Sequence, residues 1–464
     1  MILWAIVGMA LVGGAALVVQ GCGNSTTAPA SGMAKVSVEV SDPATCQAPS
    51  GPYSHVYVTI TDVVAHTSAS AGASDSGWVD LTPNLSKAPK QVDLLGLANN
   101  SCFLASLGDT QEIQAGNYQQ FRVILADNSS QVSGNVCGSA TNCVMLTAGG
   151  TYPLELSSES KTGIKIPSGQ IASGGFNISA GQTKDLDIDF NTCISIVQEG
   201  NGKYRLKPVL HAGEVSTTSS SINGVVVDSM SGKAIAGPAI VALEQKDSAG
   251  IDRVFMTTMT DAGGGFVFCP LPAGTYDVVV VGTGAGGVVY SPSVIVGVPT
   301  GSSVGQVPMY ALPIVSVAPA TLGGEVTSQT SANAGTVADV QVSALEQVGS
   351  ALTVTIPLVP TATQTSAVLA VETAVSGSCP TGTDCVDYTV DLPAGTAFTG
   401  AYSTSGTTLT QSSIAAAYQM DGIAFVPSSG GTTDCSPSEE TAAAVVPVPA
   451  VTTNVATLKF GGCQ

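Results

Sequence analysis

Positive charge is what this chain most conspicuously lacks. Its 464 residues include only 14 Lys or Arg against 33 Asp or Glu, a formal net charge of -19. After Arg253 the only basic residue is Lys459. Nucleic acids are held by clustered Lys and Arg, so a nucleic-acid partner is excluded. The acidity reads instead as solubility outside the cell. Histidine is almost as scarce: His55, His66 and His211 are the whole supply. That starves Ser-His-Asp chemistry, which needs a histidine beside the nucleophile. Aromatics are few, and beyond the N-terminal apolar run the one tryptophan is Trp78. Glycans usually need exposed aromatic platforms. Trp78 stands between a polar loop (Ser68 to Ser76) and Val79-Asp80-Leu81, which predicts core packing at a strand start. Tyr290 and Tyr310 are candidates for exposure, but nothing in the sequence pairs them.

What the chain does have begins at its N-terminus. Met1 to Val19 is a nearly unbroken apolar run, followed by Gln20-Gly21-Cys22. This resembles the lipobox of bacterial lipoproteins, which implies a leader over residues 1–21, cleavage before Cys22 and lipidation of that cysteine. The alternative is an uncleaved span, since the first basic residue is Lys35 and the run is just long enough to cross a bilayer. Cleavage is favoured because Cys22 sits where the small-residue site belongs. Gly23 follows instead of Asp, which in a two-membrane bacterium implies the outer membrane. The membrane is thus an expected partner, reached through a lipid anchor. Residues 22–34 make a polar tether.

There are eleven cysteines. If lipidation takes Cys22, ten remain for five disulfides, and thiol catalysis is left without a free sulfur. Cys137 with Cys143 and Cys379 with Cys385 each close a short turn-rich loop that is easy to bridge. Cys435 with Cys463 is the next pairing, as no other cysteine follows Cys385. Among Cys46, Cys102, Cys193 and Cys269 three pairings stay open. None of these spacings is that of a zinc finger, and an oxidising compartment favours disulfides.

The remainder reads as all-β, a series of β-sandwiches in tandem with Gly- and Pro-rich turns. In the first domain, residues 35–214, Val36, Val38 and Val40 alternate with polar neighbours, as do residues 56–63 and 186–190. Helical periodicity is weak, with room for a turn or two between Leu94 and Leu107. The ordered runs His55-Val56-Tyr57-Val58-Thr59-Ile60, Gly77-Trp78-Val79-Asp80-Leu81, Ala115-Gly116-Asn117-Tyr118-Gln119-Gln120-Phe121-Arg122 and Gly202-Lys203-Tyr204-Arg205-Leu206 resemble a domain-of-unknown-function family found at the front of bacterial exported lipoproteins. The resemblance implies a surface β domain and brings no catalytic residues.

Thr217 to Ser221 is the expected linker to a second unit, residues 222–312. Its runs Asn223-Gly224-Val225-Val226-Val227-Asp228, Asp261-Ala262-Gly263-Gly264-Gly265-Phe266 and Leu271-Pro272-Ala273-Gly274-Thr275-Tyr276 resemble a carboxypeptidase-regulatory-like domain. That implies a transthyretin-like sandwich, grouped with carbohydrate-binding-like folds. A third unit, residues 313–464, is read either as an unrelated β domain or as a diverged copy of the second. Ala344-Leu345-Glu346-Gln347 repeats Ala242-Leu243-Glu244-Gln245, and Leu392-Pro393-Ala394-Gly395-Thr396 repeats residues 271–275.

Three constellations bear on chemistry. Gly282-Thr283-Gly284-Ala285-Gly286-Gly287 fits G-x-G-x-x-G, but the β-branched run and Pro292 behind it predict a hairpin loop and no helix. His211-Ala212-Gly213-Glu214 has the spacing of the zinc carboxypeptidases, yet no later histidine exists to complete a site. Asp185, Asp187 and Asp189 share one face of a strand. Calcium would relieve their repulsion, but calcium usually takes loop ligands, so a solvated face compensated by Lys184 or a neighbouring strand is favoured. No cofactor is implied. The expectation is a non-catalytic, lipid-anchored envelope protein with a structural, display or adhesion-type role and an unidentified surface partner. The alternative is a carbohydrate-binding surface protein using the fold of the second unit.

Overall fold

A computed structural model supplies the fold. It describes residues 32–463, except 43–52, 98–104, 157–158, 172–174, 191, 199–201, 207–209, 216–219, 248, 262, 272, 313–317, 362–363, 365 and 426–434. The leader, Cys22, nearly all of the tether and most of the 217–221 linker lie outside the described residues. Of the described residues 55% are strand and 3% helix, an all-β protein of tandem β domains. Its two α-helices among the described residues are single turns, Leu94–Leu97 and Thr192–Ser195.

Residues 33–215 form the first domain around β1 (Met33–Ser41), β2 (Tyr53–His66), β3 (Gln120–Leu125), β4 (Thr183–Phe190) and β5 (Leu210–Val215). In one sheet β4 lies between β1, parallel to it, and β5, antiparallel. In the other, β2 pairs antiparallel with β3. Alternation sends Val36, Val38 and Val40 of β1 inward against Val56, Val58 and Ile60 of β2. Leu186, Ile188 and Phe190 of β4 join the same core. Each such side chain removed from water contributes about 1.5–3 kcal/mol.

The second unit contains β6 (Ser220–Asp228), β7 (Ala239–Lys246), β8 (Ile251–Met259), β9 (Gly265–Leu271), β10 (Thr275–Gly282), β11 (Ser293–Pro299) and β12 (Ser303–Ala311). The third contains β13 (Ala320–Ser328), β14 (Asp339–Gly349), β15 (Leu352–Ile356), β16 (Asp384–Leu392), β17 (Phe398–Ala401), β18 (Tyr418–Phe425) and β19 (Leu458–Phe460). Their strand pairings correspond. β6 pairs antiparallel with β9 and parallel with β12; β13 pairs antiparallel with β16 and parallel with β19. β7 lies between β8 and β10 as β14 lies between β15 and β18, all antiparallel.

Residue 313 begins a new segment of chain without beginning a new body. One eleven-stranded sheet runs through β17, β11, β10, β7, β8, β15, β14 and β18 in that order. β15 joins the edge of β8, and β17, which follows the Leu-Pro-Ala-Gly-Thr run of the third unit, crosses to the far edge of the second and pairs with β11. This explains why Ala239 to Leu243 and Val278 to Val281 are apolar without a break and wholly buried. A strand covered on both faces has no polar side to alternate with. Val241, Leu243, Val278 and Val280 face the core of their own unit, while Ala242, Val279 and Val281 belong to the core of the third.

Candidate functional site

Functional chemistry needs polar groups held where water is excluded, and among the described residues two places gather buried charged groups. The first is the aspartate face of β4. Water on that face is the sequence expectation, and the structure overturns it: Asp187 is 7% and Asp189 4% exposed. β4 is an inner strand, so its neighbours' side chains cover it. Asp185 accepts from the Ser37 hydroxyl, and Ser41 Oγ donates to Asp187 Oδ2 at 2.7 Å. On β5, His211 Nδ1 lies 4.0 Å from Asp189 Oδ2. The His211 ring stands 6.3 Å from that of Phe255 on β8, so the second unit closes over this face. Lys184, the expected counter-charge, pairs instead with Glu214 at 2.5 Å.

Both oxygens of Asp189, Oδ1 of Asp187, Oδ2 of Asp42 and Nδ1 of His211 are buried without a hydrogen-bond partner. Burial pushes Asp187 up to about 7 and raises Asp42 and Asp189 well above the usual carboxylate range; nearby carboxylates act in the same direction. Burial lowers His211 to about 4. Among the described residues no group of three or more His, Cys, Asp or Glu is placed to hold a metal ion. The Ser37 and Ser41 hydroxyls serve Asp185 and Asp187, and the calcium candidate Asp185, Asp187 and Asp189 forms no such group among the described residues.

The second place is the seam between the second and third units. Arg253 of β8 meets three carboxylates: Nε to Asp247 at 3.0 Å, Nη1 to Asp421 of β18 at 2.6 Å, and Nη2 to Glu439. Asp247 belongs to the second unit and the other two to the third, so one guanidinium fastens both. A planar fork with five donors suits this; a lysine ammonium does not. Glu244 on β7 accepts from the backbone N–H of Thr355 on β15 at 3.0 Å, and the Thr355 hydroxyl donates to the Asp252 carbonyl at 3.0 Å. Glu244 and Glu346 are the repeated glutamates of the Ala-Leu-Glu-Gln motif, and both are wholly buried. Burial raises Glu244 well above its ordinary value and pushes Glu346 up to about 8 and Asp277 up to about 6.

Replacing Arg253 by Ala leaves Asp421 buried with no counter-charge. We expect a loss of about 3–5 kcal/mol, the usual cost of breaking a buried pair from one side. Chemical denaturation of Arg253→Ala and Arg253→Lys measures it. Lys should recover less than half, and a loss within ordinary surface variation would show that the clamp is idle.

The remaining candidate residues sit apart from both clusters. Disulfides join Cys137 to Cys143, Cys379 to Cys385 and Cys435 to Cys463. The Cys379 loop turns at Gly382, whose φ is 80° and where a Cβ would meet the Asn333 carbonyl oxygen at 2.2 Å, so only glycine fits. Cys269 is disulfide-bonded as well. Cys22, Cys46, Cys102 and the side chain of Cys193 lie outside the described residues. Gly282 to Gly287 forms a loop closed by Gly284 N–H donating to the Val288 carbonyl at 2.7 Å, with a single 3-10 turn in place of a phosphate-binding helix. Tyr290 is buried with its hydroxyl donating to Asp228 at 3.1 Å. Tyr310 stacks on Phe398 of β17 with centroids 3.7 Å apart, a pairing the sequence did not disclose. These two rings and Tyr402 pack on the core of the second unit. Trp78 donates from Nε1 to the Gly72 carbonyl at 2.8 Å, under the Arg122 guanidinium. His55 contacts Asp93 at 2.7 Å, and His66 contacts the Ser76 carbonyl at 3.1 Å.

Residues 33–208 match the family described as a domain of unknown function, DUF4382. No curated protein matches the chain. Among solved structures, the Bacillus anthracis TIE protein is 10% identical over 93% of this chain, with a TM-score of 0.17. This chain spans only 50% of that protein's length. A streptococcal ancillary pilin is 11% identical, covering 92% of this chain and 98% of its own, with a TM-score of 0.16. A DUF3823 family protein from Bacteroides uniformis is 11% identical, covering 51% and 100%, also with a TM-score of 0.16. At such TM-scores none of them says what this chain does.

Proposed function

We propose that this chain is a non-catalytic protein of the bacterial envelope, anchored through an acylated Cys22 and serving display or adhesion-type interactions. The observation that supports it most directly is where the buried polar groups go. At the seam Arg253 and Glu244 fasten the second unit to the third, which is structural work. Paired cysteines at loop tips suit an oxidising compartment, as an exported chain requires. The Met1 to Cys22 segment supplies the address.

Mass spectrometry of native protein extracted from membranes tests the reading. A diacylglyceryl- or triacylglyceryl-modified Cys22 as the first residue is the expected result. An unmodified, reduced chain in the cytosol would overturn it. Retention on washed insoluble polysaccharide, competed by a soluble sugar, would move the interaction role to glycan binding.

A further inference from the structure

The strand connections of the last two units point to a mechanical task. The chain enters the second unit at the start of β6 and leaves it at the end of β12. These two strands are direct neighbours and run parallel, paired from Asn223 opposite Ser303 to Asp228 opposite Met309 with one register shift after Asn223. Parallel pairing puts the entry of one strand and the exit of the other at opposite ends of the ladder. Tension along the chain therefore slides β6 along β12, and the ladder bonds must give together. The wholly buried Val226, Val307 and Met309 resist the same sliding.

The third unit repeats the arrangement. The chain enters at β13 and leaves after β19, again parallel neighbours, with Val326 opposite Leu458 and Ser328 opposite Phe460. Strand 452–454 adds parallel pairs at Thr321 and Gly323. Beyond the strand, Gln329 N–H donates to the Phe460 carbonyl at 3.0 Å and Cys463 N–H to the Gln329 carbonyl at 2.9 Å. The Cys435–Cys463 disulfide anchors the exit a second time. Between the units the contacts are also parallel, β8 with β15 and β11 with β17.

The first domain is connected differently. Lys35 of β1 faces Thr183 and Val215 of β5 faces Asp185, so entry and exit lie at one end of β4. Along that path tension opens pairs one after another.

We propose that residues 220–463 are a shear-loaded clamp that carries tension between the anchored side of the chain and whatever holds its C-terminus. Load arriving through the Cys269 disulfide takes the same direction. Cys269 lies between Phe268, opposite Ile222, and Leu271, opposite Ser220, at the entry end of β6. The inference rests on strand direction and not on the acyl group. A cytosolic, unmodified chain would sink the envelope reading and leave the clamp standing.

Single-molecule force spectroscopy on the soluble chain from residue 23 onward tests it in two pulling geometries, with oxidised and with reduced protein. In the first, handles sit at the two termini. In the second, the distal handle is moved to the exposed turn at Gly301, at the same end of the ladder as the start of β6. Extension steps identify the segment released, since each freed residue adds at most about 3.6 Å. Rupture of the C-terminal body should need several-fold more force from the termini than from the turn, because forced unfolding is governed by the barrier along the pulled path. Equal forces in the two geometries would overturn the proposal.

Discussion

A fragment of residues 220–312 fails to fold, whereas residues 220–464 fold as one cooperative unit. That is the largest effect the shared sheet predicts. Ending the chain at 312 removes β15 from the edge of β8 and β17 from the edge of β11. It also bares Ala242, Val279, Val281, Val289 and Val294, which belong to a core otherwise built mostly from the third unit. At about 25 cal/mol for each Å² of apolar surface, exposing five buried side chains withdraws several kcal/mol, comparable to the whole stability of a small domain. Exposed flat edges then invite aggregation. Circular dichroism and size exclusion on the two fragments decide the matter. A soluble, sharply melting 220–312 fragment would show that the seam is a mere contact.

The melting temperature falls as pH rises from about 5 to about 8, the reverse of proteins held by surface carboxylate pairs. Asp187, Asp277 and Glu346 are pushed up to about 7, 6 and 8, and Asp42, Asp189 and Glu244 are raised too, all chiefly by burial. A group whose folded pKa lies above its unfolded one contributes its stability below the unfolded value and loses it as pH climbs through the folded value. One pKa unit is worth about 1.4 kcal/mol. Carrying Glu346 from 4.5 to about 8 therefore costs on the order of 5 kcal/mol once it ionises. At about 2–4 °C per kcal/mol that alone lowers the transition by about 10 °C. His211, lowered to about 4 by burial, acts oppositely and costs stability as pH drops from its ordinary value toward 4. One histidine against several raised acids leaves the net slope downward across this range. Thermal melts across this range check the slope. Glu346→Gln should flatten its alkaline end, and a transition constant or rising between pH 5 and pH 8 would refute the assignment.

The local half of this fold was legible in the sequence. Alternating valines in β1 and β2 declared half-buried strands, and cysteines six residues apart declared bridged loops. The unbroken apolar runs at 239–243 and 278–281 have the pattern of strands buried on both faces. What covers those faces was not legible, because periodicity reports that a side chain is buried and not against what. The same gap explains Asp187 and Asp189. A polar–apolar alternation looks identical whether the polar side meets water or another domain. Arg253 finds Asp421 and Glu439 across 168 and 186 residues, and no spacing rule reaches that far. The repeated Ala-Leu-Glu-Gln was the one available signal for the seam, since a charged residue recurring inside two apolar strands marks a place where burial has been tolerated twice.

Drawing Arg253 inward also shapes the outside of the molecule. Of the four bases between residue 220 and the C-terminus, Lys246 is engaged with Asp252 and Arg253 with its three carboxylates, leaving Lys233 and Lys459 exposed. The distal body consequently wears an anionic skin. Two copies that drift together repel, but only at grazing distance, because salt damps the field over about 8 Å. Copies of this chain can stay concentrated without clumping.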